Sequence, residues 1–322
     1  MSVILSRGSG RNARAEAGLA RIVSAVPPGA HRARTGPGGT ADRGGRQVTP
    51  DRQEAATDPA ARPAAPFDTR VAHQARVYDY WLGGKDNFAA DREAAEQAIR
   101  DFPAIVAGVK EQRAFLARAV RYLAGPAGIR QFLDIGTGLP SANNTHEVAQ
   151  AAAPESRVVY VDNDPLVLTY ARALLASGPN GTTAYLDADL RDTASILEQA
   201  ADTLDFSQPV AILLIGILQL IEDTDEPRAI IGRLLDAVPS GSWLALVHPA
   251  SDVVPEVVAM ARHLSQRSAI PTTLRTHAEV TRFFDGLELL SPGVVQLHHW
   301  RPEAAPEEGK LVPAYCGLAR KS

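Results

Sequence analysis

One stretch constrains this chain more than any other. In residues 131–140 an apolar run closes on Asp134 and Ile135, and Gly136 and Gly138 force a turn before Pro140. Such a run is a buried strand. A strand that empties through a glycine turn onto a helix N-terminus carries backbone amides up to a small ligand. The same rhythm returns four times downstream. Strands are expected at 157–161, 183–186, 210–218 and 242–248, with helices at 144–153, 165–177, 193–203, 226–237 and 252–267. Asp164 followed by Pro165 is a cap with proline at the first helical position. Strand–helix alternation builds an open parallel sheet with helices on both faces.

The end of the chain breaks the rhythm. A short helix is expected over 276–284, capped by Thr276, followed by strands over 287–300 and 312–320 with no helix between them. Strands joined without a crossover helix pair antiparallel. The expected fold is α/β and Rossmann-like: a mostly parallel seven-stranded sheet with an antiparallel C-terminal pair.

The ligand follows from the acids at the strand ends. A dinucleotide turn reads G-x-G-x-x-G, and here Ser141 stands where the third glycine would be. Asp134, two places before the first glycine, would repel a pyrophosphate; it suits a ligand with a cationic amine and a sulfonium. Gly136, Thr137 and Gly138 are therefore expected to hold the amino-acid end of S-adenosylmethionine. The competing reading is that Asp134 caps the turn and the glycines serve packing. Asp162 ends the second strand, where a carboxylate accepts from both ribose hydroxyls. Because Asp164 fills the next helix cap, Asp162 is read as free for that work. Asp189, or failing it Asp187, closes the third strand where an adenine amino group needs an acceptor. Asn163 and Leu190, beside these acids, complete the expected cofactor set. An Asp187–Asp189 pair can also ligate a metal, but no third hard ligand is in register, so none is expected.

Two segments of different character precede the first strand. Residues 1–66 hold nine Gly, seven Pro and ten Arg against five acids, formally +5, which leaves −9 for residues 67–322 within the total of −4. Such a segment buries too little apolar surface to offset its ordering entropy, so disorder is expected. A dispensable extension, a basic arm for nucleic acid or an acidic partner, and a targeting peptide compete as its role, the first preferred. Residues 67–128 read as helical. Val71, Ala75, Tyr78 and Leu82 fall at helical spacing before Gly83 and Gly84. A second helix is expected over 89–100, and a third from Pro103 to about 124 with Ile105, Val109, Leu116, Val120 and Leu123 on one face. The expected organisation is a tail (1–66) and one domain (67–322), itself a helical cap or lid (67–128) on a Rossmann-like core (129–322). The single Cys316 excludes an internal disulfide, and no run reaches the ~18 apolar residues of a membrane span. A cytoplasmic protein is expected.

Residues 67–322 resemble the S-adenosyl methyltransferase family, common in high-GC Gram-positive bacteria and long carried as a domain of unknown function. The resemblance is most specific over 75–92, with Tyr78, Asp79, Tyr80, Trp81, Gly83, Gly84, Lys85, Asp86, Asn87, Phe88 and Arg92. It extends to 132–140, to Asn144, Thr145, His146 and Glu147, to 161–165 and to 283–289. It implies a class I methyltransferase fold, a site for S-adenosylmethionine and methyl transfer from it, and it names no acceptor. One position departs from the pattern: Gln219 follows Leu218 where members of the family usually carry His. A catalytic base at that place would be lost.

Methyl transfer from a sulfonium is an in-line displacement in which positioning supplies most of the gain. A base is needed only when the acceptor is protonated at the working pH. His248, ending the fifth strand before Pro249, is the expected catalytic base and His146 the second choice, with a purely structural histidine as the alternative for each. Tyr78 is the expected catalytic contact from the 78–88 segment. That segment reads as a lid over the cofactor or a wall of the acceptor pocket, or as a plain helix C-cap with Tyr80 and Trp81 in the core. No Asn-Pro-Pro-Tyr type motif follows the fourth strand, which argues against exocyclic base amines, and the charge of −9 disfavours nucleic acid. The expected acceptor is a small molecule. Two other classes stay open: a catalytically silent S-adenosylmethionine-binding regulator, and a nicotinamide-dependent oxidoreductase, which the missing third glycine disfavours.

Overall fold

The sheet grows outward from β1 (Gln131–Ile135), buried along its whole length. β1 pairs in parallel with β2 (Arg157–Asp162) on one side and β4 (Ala211–Ile215) on the other. β3 (Thr182–Asp187) extends the sheet beyond β2, and β5 (Trp243–Pro249) beyond β4, both parallel. This is a computed structural model, and it describes residues 68–141, 143–174, 180–267, 270–305 and 311–322. The expectations for the 1–66 tail and for the helix end at 175–177 lie outside the described residues.

β8 (Ala314–Arg320) runs antiparallel to β5, from Trp243 opposite Arg320 to Pro249 opposite Ala314. β6 (Glu288–Leu289) and β7 (Val295–Gln296) share the other edge of β8. The order is β3-β2-β1-β4-β5-β8-β6, so the α/β class, the parallel body and the antiparallel end are as expected. One element differs. The strand expected over 287–300 is two short strands, because Ser291, Pro292 and Gly293 interrupt it. Pro292 has no N–H for the ladder, and Gly293 takes φ +85. Together the two pieces fill one strand position.

Alternate residues of the strands face opposite layers, as period-two side chains must. Phe132, Val158, Leu213 and Trp243 pack under α3 (Ile105–Ala124) and α4 (Thr145–Ala152). Leu133, Val159, Ile212 and Leu244 pack against α6 (Thr193–Ala200), α7 (Pro227–Asp236) and Phe283 and Phe284, which follow α9 (His277–Thr281). Thr276 caps α9 with a reciprocal box to Glu279. α5 (Pro165–Leu174) follows β2.

A third apolar cluster joins α1 (Gln74–Trp81) and α2 (Ala89–Asp101) to α8 (Pro255–Arg267) through Val77, Trp81, Ala94, Ala98, Val257, Met260 and Leu264. The helical segment before β1 is therefore divided in its packing. α3 covers the sheet, whereas α1 and α2 share a core with a helix from the far side of β5. No helix among the described residues is long and apolar enough to cross a membrane.

Candidate active site

The strand order reverses between β1 and β4, and open α/β sheets bind ligands at the carboxyl ends of the strands beside that reversal. A cleft of about 250 Å³ lies there. Asp134, Gly136, Thr137, Gly138, Asp162 and Asn163 line it from the sheet, His73, Gln74 and Tyr78 from α1 and its cap, and Gln112 and Arg113 from α3. A larger, open depression of about 1030 Å³ sits among Ile129, Gln131, Arg157, Trp243 and Arg320, at the amino ends of the parallel strands. The buried acids converge on the smaller cleft, and we place the site there.

The two glycines of the turn do different work. Gly136 has φ +75 and Gly138 φ +66, a region costly for any residue with a Cβ. A Cβ on Gly136 would stand 2.6 Å from Ile217, so this glycine lets the turn press against the loop after β4. A Cβ on Gly138 would meet nothing within 4 Å, so here the backbone faces open space. Gly138 N donates to Asp162 Oδ2 at 2.8 Å, and Asp164 N donates to Oδ1 at 3.0 Å. Asp162, read as free of the helix cap, is therefore already engaged by two backbone amides. It ties the glycine turn to β2 and keeps further lone pairs on each oxygen. Burial pushes its carboxyl up, against the pull of those two amides.

Asp134 is buried on β1 and accepts from the Thr145 hydroxyl at 2.6 Å. Burial pushes its carboxyl up to about 6, opposed by Thr145 and the Arg113 charge and reinforced by the charge of Asp162. A desolvated acid with an arginine on the same cleft fits a zwitterionic amino-acid group, and the open face of Gly138 leaves it room. Sequence reasoning missed Arg113 and its neighbour Gln112, yet a signal existed. Position 112 falls on the α3 face of Val109 and Leu116, where a polar residue is out of place.

Beyond Asp162 a side compartment of about 50 Å³ is bounded by Asn163, Asp189, Leu190, Ile217 and Leu220 and shares Gly136, Asp162 and Asn163 with the cleft. Leu190 is buried there. Asp189 is engaged: it accepts from Arg191 N at 2.8 Å and pairs with the Arg191 guanidinium at 3.1 Å. Arg191 also pairs with Asp225 at 2.8 Å and donates to Leu220 O at 3.2 Å. Arg191 thus straps the end of β3 to the loop after β4. Asp187 ends β3 opposite Asp162.

The two histidines are not brought to the cleft. His248 is fully buried. Arg275 Nη1 lies 2.7 Å from its Nε2 and can only donate, so Nδ1 carries the proton that goes to Pro249 O at 2.8 Å. Burial, with the Arg275 charge, pushes His248 down to about 3. A ring with both nitrogens engaged that does not line the cleft fits a structural histidine, and its surroundings give the expected base no support. His146 is likewise buried, with Nδ1 2.8 Å from the Tyr160 hydroxyl. Tyr78 does line the cleft, and its hydroxyl donates to Val109 O at 3.2 Å. Burial pushes its phenol up, away from any basic role.

Tyr78 is also a wall of a second space. A chamber of about 90 Å³ lies behind it and shares Gln74, Tyr78 and Gln112 with the cleft. Trp81, Val257, Met260, Leu264, Leu274 and Val312 make it apolar, and Gln219 is among its few polar neighbours. The rest of the 78–88 segment turns inward on itself. Asp79 accepts from Asp86 N and Asn87 Nδ2, both at 2.9 Å, while Arg92 Nη1 donates to Asn87 O at 2.8 Å. Of the lid reading, Tyr78 and Trp81 form a wall, and the turn after them is a self-bonded knot.

The sequence profile described as S-adenosyl methyltransferase matches residues 60–322. A DUF574 family protein from Streptomyces avermitilis is 49% identical, with 79% of this chain and 99% of that one covered and a TM-score of 0.77. A Thermobifida fusca protein is 41% identical, with 79% and 96% covered and a TM-score of 0.74. Among curated proteins none matches. A match over four-fifths of the chain, a range that includes the cleft, leaves no place for the oxidoreductase alternative: the chain belongs to the S-adenosyl methyltransferase family and is an S-adenosylmethionine-dependent methyltransferase.

Proposed function

We propose that this chain transfers a methyl group from S-adenosylmethionine to a small-molecule acceptor held in the chamber behind Tyr78. The observation that carries the reading is the shared wall. The polar cleft and the apolar chamber have Gln74, Tyr78 and Gln112 in common, so a ligand in one lies next to a ligand in the other.

When bound, the cofactor supplies a methyl group activated by a cationic sulfur. Asp134 and Arg113 take the charged groups of its amino-acid end, and Gly136, Thr137 and Gly138 give that end backbone room. Asp162 and Asn163 accept the ribose. Leu190, Ile217 and Leu220 enclose the adenine ring, with Asp189 at its edge once Arg191 yields a share of that carboxylate. Tyr78 acts as a positioning wall, and the apolar chamber excludes water from the reacting atoms. Because displacement at a methyl group gains chiefly from alignment, the chain needs walls here more than it needs acids and bases. A chamber this small, on a domain carrying −9, favours a compact acceptor over a nucleic acid. In the same reading residues 67–128 supply the cap and the tail 1–66 has no essential part.

Titration calorimetry tests the cofactor half directly. S-adenosylhomocysteine should bind one-to-one, and NADH should give no heat. Binding of NADH alone would overturn the reading.

A further inference from the structure

The wall between cleft and chamber carries a polar atom that is held in direction yet left without a donor. Of the three residues that make the wall, Tyr78 turns its hydroxyl to Val109 O, and Gln74 makes no side-chain hydrogen bond among the described residues. Gln112 is held. Its Nε2 donates to Ile215 O at 3.0 Å, an atom that can only accept, so Oε1 is the acceptor end of an oriented amide. Gly216 makes the room for it: with φ +77, a Cβ there would overlap Nε2 and stand 3.1 Å from Oε1. No donor among the described residues reaches Oε1, and on this half-buried side chain the oxygen is open rather than sealed in. Ile215 and Gly216 line the cleft and not the chamber, so the amide lies against the cofactor side of the wall. An oriented, open and unanswered carbonyl oxygen is a place for a positively polarised group of the ligand.

We propose that Gln112 Oε1 contacts the sulfonium methyl of S-adenosylmethionine and aims it at the chamber. The inference rests on the methyltransferase reading above and adds to it the residue that positions the transferred group. In the cofactor the sulfur joins the amino-acid chain to the ribose. With the first at Asp134 and Arg113 and the second at Asp162, the sulfur falls between them, and Gln112 is the neighbour of Arg113 on α3. Hydrogens of a methyl on cationic sulfur carry positive charge, and a carbonyl oxygen answers them by C–H···O contacts. A carboxylate at this place would attract the cation too, but it would favour the ground state, because the positive charge leaves sulfur as the reaction proceeds. A neutral amide dipole orients the methyl without that cost. Displacement at a methyl group gains chiefly from alignment, and a dipole already fixed by Ile215 O needs no reorganisation to supply it.

The test compares three ligands of the full-length chain by calorimetry: S-adenosylmethionine, S-adenosylhomocysteine, which lacks the methyl, and sinefungin, which carries an amino group in the methyl's place. Gln112→Leu should weaken S-adenosylmethionine about three- to fivefold. Sinefungin, whose N–H is the stronger donor, should lose about tenfold or more, while S-adenosylhomocysteine stays nearly unchanged. A glutamine that only braces the fold would shift all three ligands alike, and that result overturns the proposal. Failure of the unaltered chain to bind S-adenosylhomocysteine would instead break the underlying reading, and this inference with it. If Gln112→Leu does not fold, a structure of the unaltered chain with sinefungin decides. Its amine within about 3.2 Å of Gln112 Oε1 supports the proposal, and an amine turned away from Gln112 overturns it.

Discussion

The cofactor cleft and the chamber behind Tyr78 meet along one wall yet are assembled in opposite ways. On its sheet side the cleft is made of backbone and of acids at strand ends: Gly136 to Gly138 after β1, Asp162 after β2, Asp189 after β3. Each group is fixed by the strand that precedes it, so neighbours in the chain are neighbours in the site. The chamber is made of side chains from at least five separated segments, among them α1, α3, the turn at Gln219, α8 and the approach to β8. Any one of them reads as core. The difference teaches where specificity would be stored: the sheet side of the cofactor cleft is written locally, and the chamber proposed to take the acceptor exists only once the chain is folded.

The comparison breaks most readily at Gly136. Gly136→Ala combines a left-handed backbone with a contact on Ile217 and should cost about 2–5 kcal/mol of stability, seen as a lowered urea midpoint and loss of S-adenosylhomocysteine binding. Gly138→Ala, with open space, should cost only the backbone part, about 1–2 kcal/mol. Equal effects would mean the turn does not press on the loop after β4.

Asp134 sharpens the polar side through pH. Its folded carboxyl, near 6, lies above the model-peptide 3.8, so the folded state holds the proton longer. Stability of the unliganded protein should therefore fall as pH rises from about 4 to about 6 and level off above, by about 3 kcal/mol in all. Asp134→Asn should flatten that slope. A ligand ammonium favours the ionised acid, so S-adenosylhomocysteine should bind more tightly across the same rise in pH, with proton release measurable in buffers of different ionisation enthalpy.

His248 belongs to neither compartment. His248→Ala removes one acceptor of Arg275, which keeps Leu218 O, Ile221 O and Asp223, and should lower stability by about 1–3 kcal/mol, while S-adenosylhomocysteine affinity changes less than twofold. Asp162→Ala should do the reverse in emphasis, weakening the cofactor by about 1–3 kcal/mol in calorimetry through lost ribose contacts and a loosened Gly138. The smallest effect should come from removing residues 1–60, which should leave both affinity and melting temperature nearly unchanged.

These contrasts explain what the sequence could and could not disclose. The strand alternation and the acid-glycine turn are local patterns, and they led to the parallel sheet with its antiparallel end and to the cleft. Asp162 lines the cleft, but nothing in the sequence signalled its bond to Gly138, which joins positions 24 apart. His248 stood at a strand end like the acids, and only Arg275, 27 residues later, decides that its ring is a buried strut. Gln219 read as a loss relative to its family's usual residue, and folding buries it at the edge of the apolar chamber with its amide donating to Gly216 O. Arg113 and Gln112 were legible in principle as polar positions on the apolar phase of α3.

A structure with S-adenosylhomocysteine bound tests the account most directly. The account predicts the amino-acid end at Asp134 and Arg113, the adenine near Leu190, and the sulfur facing the wall of Gln74, Tyr78 and Gln112, toward the chamber. A sulfur turned away from that wall, or an adenine ring inside the chamber, would contradict it.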